Sequence, residues 1–378
     1  MKKLFKLLKK VLLGIGILIG LLVIVGFVFV NTSPQFGGKA TTEQKEKFSK
    51  SKNYVDGKFV NLGNVSTNMS AKNMIKAIGG MFKTIPNAKP NNPIDVTSVD
   101  ATSLANYNSK TRIIWFGHST FLLQINGKNI LIDPMFSDVP APHPLLGSKR
   151  FNEDKPITIE QLPHIDAVLI SHDHYDHLDY ESIKKLKEKV STFYVPLGLG
   201  NHLIEWNVAK EQIIELDWWE KASFQDLTFT SAPAQHFSGR GLTDRDATLW
   251  CSWVVQSDNE NIFFSGDSGY GPHFKTIAEK FGGFDFAMIE CGQYNELWSE
   301  IHMFPEQTAQ AGIDLNAKVI MPIHWGAFKL AQHSWTDPIE RVSKKAIELN
   351  IEMVAPKIGE ALLISETNEI TKNWWKNY

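Results

Sequence analysis

Ser171-His172-Asp173-His174-Tyr175-Asp176-His177 places three histidines and an acid in the spacing H-x-H-x-D-H. The residues before it, Ala167-Val168-Leu169-Ile170, form a short β-branched run that reads as a buried strand. The motif therefore occupies the turn leaving that strand's C-terminal end, where open α/β sheets carry their chemistry. His172 and His174, two apart on an extended turn, can aim their imidazoles at one ion. Asp176 and His177 follow where the chain begins to coil and can face a second. A histidine-rich surface loop would account for any one of these residues, but not for all of them in this order behind an apolar strand.

Other segments extend the pattern. They include Trp115-Phe116-Gly117-His118-Ser119-Thr120, Leu131-Ile132-Asp133-Pro134, Gly147-Ser148-Lys149-Arg150-Phe151, Glu215-Leu216-Asp217-Trp218-Trp219-Glu220, Gly266-Asp267-Ser268-Gly269-Tyr270 and Ile323-His324-Trp325-Gly326. With the histidine motif, they give a chain that resembles the metallo-β-lactamase superfamily, and within it the N-acylphosphatidylethanolamine-hydrolysing phospholipase D branch. The likeness runs from about Arg112 to about Gly359. It implies an αββα sandwich, an α/β fold with helices outside two sheets.

The resemblance also implies a ligand set. His172, His174 and His236 would hold one divalent ion, Asp176, His177 and His324 a second, and Asp267 would bridge them. His236, Asp267 and His324 each follow an apolar strand-like run, so all can converge on one rim of the sheets. A hydroxide between the two ions would be the nucleophile, with Asp176, Asp267 and His302 as catalytic residues. A histidine-rich shell favours zinc. Asp133 either orients a ligating imidazole or caps the turn after its strand. His118 suits a place beside the ligands or in the pocket. His302 either acts on the developing charge or the leaving group, or makes a structural hydrogen bond.

The branch likeness implies hydrolysis of the phosphodiester of an N-acylated phosphatidylethanolamine, giving phosphatidic acid and an N-acylethanolamine. The stretch Ile289-Glu290-Cys291-Gly292-Gln293-Tyr294-Asn295-Glu296-Leu297-Trp298 departs from the branch's proline-isoleucine-glycine-alanine-tyrosine pattern and lacks the arginine before its tryptophan. Glu290, near the metals, is expected to repel an anionic substrate. A lactonase or other ester hydrolase of the same fold is the alternative. A non-catalytic, membrane-tethered binding protein would need decayed ligands, and all seven are present.

Val11 to Val30 is an uncharged run of twenty apolar or glycine residues, preceded by Lys2, Lys3, Lys6, Lys9 and Lys10. A helix of that length spans the roughly 30 Å bilayer core. Signal peptides usually have a shorter apolar region with small residues at the cleavage site, which Phe29-Val30-Asn31 lacks. An uncleaved anchor is expected, residues 1–10 in the cytoplasm and the catalytic domain on the outer face. A cleaved, secreted form is the alternative.

The chain has 378 residues and a net charge of −2. Without the five N-terminal lysines, 34 basic residues face 41 acidic ones, a net −7 that offers no nucleic-acid surface. Cys251 and Cys291 sit in or beside apolar runs and read as buried thiols rather than a disulfide. Residues 31–109 are polar and read as a linker with one amphipathic helix, about Asn68 to Lys83, carrying Met69, Met74, Ile75, Ile78, Met81 and Phe82 on one face. That face packs on the hydrolase domain, residues 110–378, or forms a lip facing membrane or acyl chains. Asn126-Gly127 predicts a tight hairpin, and Asp179 an N-cap for a helix from Tyr180 to Lys189. Trp218-Trp219 and Trp374-Trp375 read as packing aromatics, the latter pair with flanking lysines as the better membrane-interface candidate.

Overall fold

A computed structural model describes residues 2–81, 83–366 and 373–378 of the chain. The N-terminal helix α1 (Lys2–Thr32) has no buried residue and is long and apolar enough to cross a membrane. Then come α2 (Thr42–Phe48), a small hairpin of β1 (Tyr54–Val55) and β2 (Lys58–Phe59), α3 (Ala71–Met81) and α4 (Ala101–Ala105). The predicted amphipathic helix is α3; Phe82 lies outside the described residues.

The stretch read as a linker carries more structure than one helix. Phe48, Phe59 and Ile94 are buried in the main core. The physical reason is local: a few apolar side chains anchor an otherwise polar segment, so its composition looks like linker while its backbone is held down. Pro34 and Gln35 offer their carbonyls to Trp206 Nε1 at 2.6 Å and Arg240 Nε at 2.8 Å, which docks the segment directly after α1.

Two seven-stranded sheets follow. The first has the order β16-β3-β4-β5-β6-β7-β8 and the second β15-β14-β13-β12-β11-β10-β9. The strands of the first are β3 (Arg112–Trp115), β4 (Phe121–Ile125), β5 (Lys128–Ile132), β6 (Ile165–Leu169), β7 (Val190–Pro196), β8 (Ile213–Leu216) and the returning β16 (Ala361–Leu363). Those of the second are β9 (Lys221–Phe224), β10 (Leu227–Ala232), β11 (Ser252–Gln256), β12 (Asn261–Phe264), β13 (Phe284–Glu290), β14 (Ala317–Ile323) and β15 (Glu352–Met353).

Each sheet runs antiparallel at one end and parallel at the other. The parallel steps need crossovers, most of them helical: α5 (Tyr180–Leu186) and α6 (Gly200–Glu205) in the first half, α7 (His273–Phe281), α8 (Pro305–Asp314) and α9 (Asp337–Glu348) in the second. Two similar halves result, although the sequence shows no clear repeat. The inner faces share one core that includes Phe121, Leu123, Phe229, Trp253, Phe264 and Met288. This is the αββα sandwich.

Local signals behave as their chemistry requires. Asn126 and Gly127 have φ of +50° and +70°, the left-handed pair that closes β4 onto β5. Asp179 caps α5 by accepting from the Ser182 N–H at 3.1 Å, and a 3₁₀ turn carries the coil on to Lys189. Cys251 and Cys291 are buried free thiols. Trp218, Trp374 and Trp375 are buried, so the C-terminal pair faces the core rather than a membrane. Trp374 stacks on Trp325 with centroids 5.5 Å apart and approaches Trp115, which draws the tail inward. Lys372 lies outside the described residues.

Candidate metal centre

The strand ends bring the predicted residues together at one rim. β6 leads into His172, His174, Asp176 and His177, β10 into His236, β12 into Asp267 and β14 into His324. The donor atoms of His172, His174, His236 and Asp267 form one group within 4.8 Å of one another, and those of His118, Asp176, His177 and His324 form another. Asp267 joins them. Its Oδ2 lies 3.6 Å from His172 Nε2 and 3.8 Å from His236 Nε2, while Oδ1 lies 3.2 Å from His177 Nε2 and 3.1 Å from His324 Nδ1.

These groups can hold metal, and the local electrostatics fit that use. His177 Nε2 and Asp267 Oδ1 are buried without a hydrogen-bond partner, a costly arrangement for polar atoms unless a cation takes them. Burial, aided by neighbouring imidazoles, holds His172, His236 and His324 well below the ordinary histidine range, so each keeps a lone pair at neutral pH. Burial pushes Asp267 up to about 7. Burial also opposes a charge on His177, but the carboxylates of Asp267 and Asp176 and the bond to Asp133 outweigh it and hold its pKa well above the usual range. A divalent ion would relieve the same imbalance by taking the place of the proton.

The supports are oriented. Asp133 is buried and accepts from the Ser171 N–H at 2.7 Å, from Ser171 Oγ at 2.5 Å and from His177 Nδ1 at 2.7 Å. With Nδ1 engaged by Asp133, His177 Nε2 is the ring nitrogen that faces Asp267. His118, Asp133 and His324 all have positive φ, at +55°, +40° and +66°. Non-glycine residues in that region are held there by their surroundings. His118 places Nε2 2.8 Å from Asp176 Oδ2, a closer tie to the second group than its sequence position revealed.

Two contributors carried no signal in the sequence. Asn61, in the polar stretch after β2, donates to the His236 carbonyl at 2.8 Å and accepts from the His236 N–H at 3.0 Å. His236 Nδ1 also meets the Ile301 carbonyl at 3.0 Å, leaving Nε2 for the centre. Arg245 lies 4.1 Å over the Phe237 ring, and that ring stands 4.4 Å from His174.

Glu290 lies near the centre, with one oxygen within 4.8 Å of donor atoms of Asp267, His302 and His324. It is fully buried, with Oε1 accepting from the Met303 N–H at 2.7 Å and Oε2 3.0 Å from His302 Nδ1. Burial pushes its pKa well above the ordinary carboxylate range.

Beside the histidines, bordered by Phe237 next to His236 and by Ile301 next to His302, lies a cleft of about 1290 Å³. Met69, Met74 and Ile78 of the α3 region, Leu145, Leu146, Phe237, Trp298 and Ile301 give it apolar walls, while Lys83, Lys89, Lys149, Arg245 and Lys329 supply cations.

A family model described as the beta-lactamase superfamily domain matches residues 128–325, more than half of the chain. The chain belongs to the metallo-β-lactamase superfamily. This superfamily member is 37% identical over 337 residues to an uncharacterised protein of Mycobacterium tuberculosis, covering 86% of this chain and 88% of that one. It is 33% identical over 228 residues to the N-acyl-phosphatidylethanolamine-hydrolyzing phospholipase D 1 of Caenorhabditis elegans, covering 57% of this chain and 64% of that relative. Less than two thirds of that phospholipase is therefore matched. A solved metallo hydrolase from the archaeon Ignicoccus hospitalis has a TM-score of 0.50 at 20% identity over 67% of this chain and 98% of its own, a likeness of fold. Family and site together describe a metal-dependent hydrolase of the metallo-β-lactamase fold.

Proposed function

We propose that the chain is a membrane-anchored, dinuclear phosphodiesterase acting on N-acylphosphatidylethanolamine-type lipids. The observation that carries the hydrolytic part is the disposition of Asp267, whose two oxygens face two separate histidine groups. In this reading His172, His174 and His236 hold one ion, Asp176, His177 and His324 the other, and Asp267 joins them. The donor set, rich in imidazole, suits zinc. Two such ions supply Lewis acidity and bring the pKa of water into the neutral range. The chain's own residues then orient the reaction: Asp133 fixes His177, Asn61 fixes His236, and His302 stands beside His236 and His324 with ring centroids 5.1 and 5.2 Å away.

The lipid part rests on the cleft. Apolar walls suit acyl chains, and the cations suit a phosphate. Where the branch resemblance expects an arginine the chain has Leu297, and Arg245, over the Phe237 ring, offers a guanidinium in the lining of the same cleft. The C. elegans relative is named for that lipid activity. α1 would anchor the protein, with its lysine cluster in the cytoplasm and the sheets outside.

The test uses the purified full chain loaded with zinc. Release of phosphatidic acid from an N-acylphosphatidylethanolamine is expected. Turnover of lactones or soluble esters, with none of any phospholipid, would replace this reading with the lactonase one. Membrane attachment is checked separately: the chain should survive an alkaline wash in the membrane fraction, and a shortened soluble form in the medium would contradict the anchor.

A further inference from the structure

Glu290 is a carboxylate buried at the end of β13, in a chain whose centre already has two acids among its donors. Burying a carboxylate is expensive unless its oxygens are fully used. Here they are used, and none of the partners is a residue of the two histidine groups. Oε1 takes the Met303 N–H at 2.7 Å and Oε2 lies 3.0 Å from His302 Nδ1. The backbone around it is also tied, with the Glu290 N–H donating to Ser265 Oγ at 3.0 Å and its carbonyl accepting from Thr308 Oγ1 at 2.6 Å. Both oxygens thus already have protein partners, in a carboxylate that lies within 4.8 Å of donor atoms of Asp267, His302 and His324.

His302 is the group it fixes. Its ring lies parallel to His324, 15° between planes, and edge-on to His236, while Ile301 before it lines the cleft. The side chain retains 14% exposure, whereas that of Glu290 has none. With Nδ1 committed to Glu290, Nε2 is the ring atom left for a ligand. A histidine's reacting nitrogen is set by the bond its other nitrogen makes.

We propose that Glu290 is a positioning residue for His302: it holds Nδ1 and so directs Nε2 to hydrogen-bond the substrate oxygen that separates from the attacked centre. This rests on the hydrolase reading above. It also gives a function to the residue by which the chain departs from its branch pattern.

The test is a double-mutant cycle on the full-length, zinc-loaded protein, with bis(p-nitrophenyl) phosphate as the probe. Glu290→Ala and His302→Ala should each lower kcat by roughly 10- to 100-fold with little change in KM, as misplacing a reacting group does. The double variant should be no slower than His302→Ala alone. Glu290→Gln keeps one acceptor oxygen, which can still take the Nδ1–H while its amide nitrogen cannot accept from the Met303 N–H, and should recover part of the rate. Equal additional losses from Glu290→Ala with or without His302, or loss of metal from the Glu290 variants, would overturn the proposal by making Glu290 a structural or ligating residue. Nitrogen-15 NMR of labelled histidines reads the orientation without turnover. The Nδ1 resonance absent from His302→Ala should move in Glu290→Ala, and an unmoved resonance overturns the proposal. A wild-type protein inert toward every ester, with that resonance still dependent on Glu290, would leave the positioning intact and sink the hydrolase reading.

Discussion

The histidine groups, called the floor below, and the helix along the wall of the adjoining cleft are built in opposite ways. His172, His177, His236 and His324 are at most 1% exposed, whereas Met74, Ile75 and Ile78 of α3 are 53, 71 and 52% exposed. The floor hangs on strand ends from both sheets and is locked by Asp133, Ser171 and Asn61. Among the described residues, hydrogen bonds tie the wall through the Gln332 amide on the Ala77 carbonyl at 3.2 Å and Arg245 on Thr67 and Asn68 at 3.1 Å. A rigid, desolvated floor is what charge stabilisation requires, and a loosely held apolar wall is what a variable chain requires. Changes in the floor should therefore act on metal binding and kcat, and changes in the wall on KM.

The severest break in the floor is Asp267→Ala. It removes the one carboxylate shared by both groups and should reduce hydrolysis by at least about 10³-fold in a protein that still folds. Elemental analysis should show less metal per chain. Near-normal turnover with two ions bound would end the dinuclear assignment.

Asp133→Ala comes next. It leaves all seven proposed ligands in place but frees His177 to turn, and it strips the acceptor from the Ser171 N–H. Loss of such a support typically costs about 10- to 100-fold in metal affinity or activity. Competition against a chelator measures the first directly, and unchanged affinity would mean that Asp133 serves the backbone alone. Asn61→Ala should be milder still. It leaves the His236 N–H and carbonyl without their partner, a loss of about 1–3 kcal/mol that urea unfolding would read as a lower midpoint at constant slope. An unchanged midpoint would show that the segment before α3 is not part of the folding unit.

Floor and wall also differ in how far they could be read in advance. Each floor residue follows a run such as Val168-Leu169-Ile170 or Ile262-Phe263-Phe264, and a ligand type at a strand's end is a local pattern. The sandwich and the converging histidines were legible for that reason. Asn61 was not, because one asparagine in a polar stretch has no period and its partner lies 175 positions away. Phe48 and Phe59 were hidden likewise, as isolated aromatics among lysines and asparagines. Glu290 was seen, but its partner was not: sequence cannot tell which neighbour its carboxylate turns to, and His302 is twelve residues on. The burial of Trp374 depends on Trp115 and Trp325, contacts that only the folded chain makes.

The smallest effect should come from the wall. Met74→Ser with Ile78→Ser removes apolar surface that is already half in water, so folding loses little; substitutions at such exposed positions usually stay within about 0.5 kcal/mol. No side chain of α3 belongs to the two histidine groups, so kcat at saturating substrate should hold. An acyl chain lying along that face would lose contact with several methylene-sized patches, each worth about 0.8 kcal/mol. The apparent KM for a long-chain N-acylphosphatidylethanolamine in mixed micelles should therefore rise by about 10-fold, that of a short soluble phosphodiester should not move, and the ratio of the two is the quantity to measure. A rise for both would place α3 in the catalytic framework with the floor. No rise for either would separate the exposed methionine and isoleucines from the substrate altogether, and leave their apolar face to the bilayer into which α1 is proposed to insert.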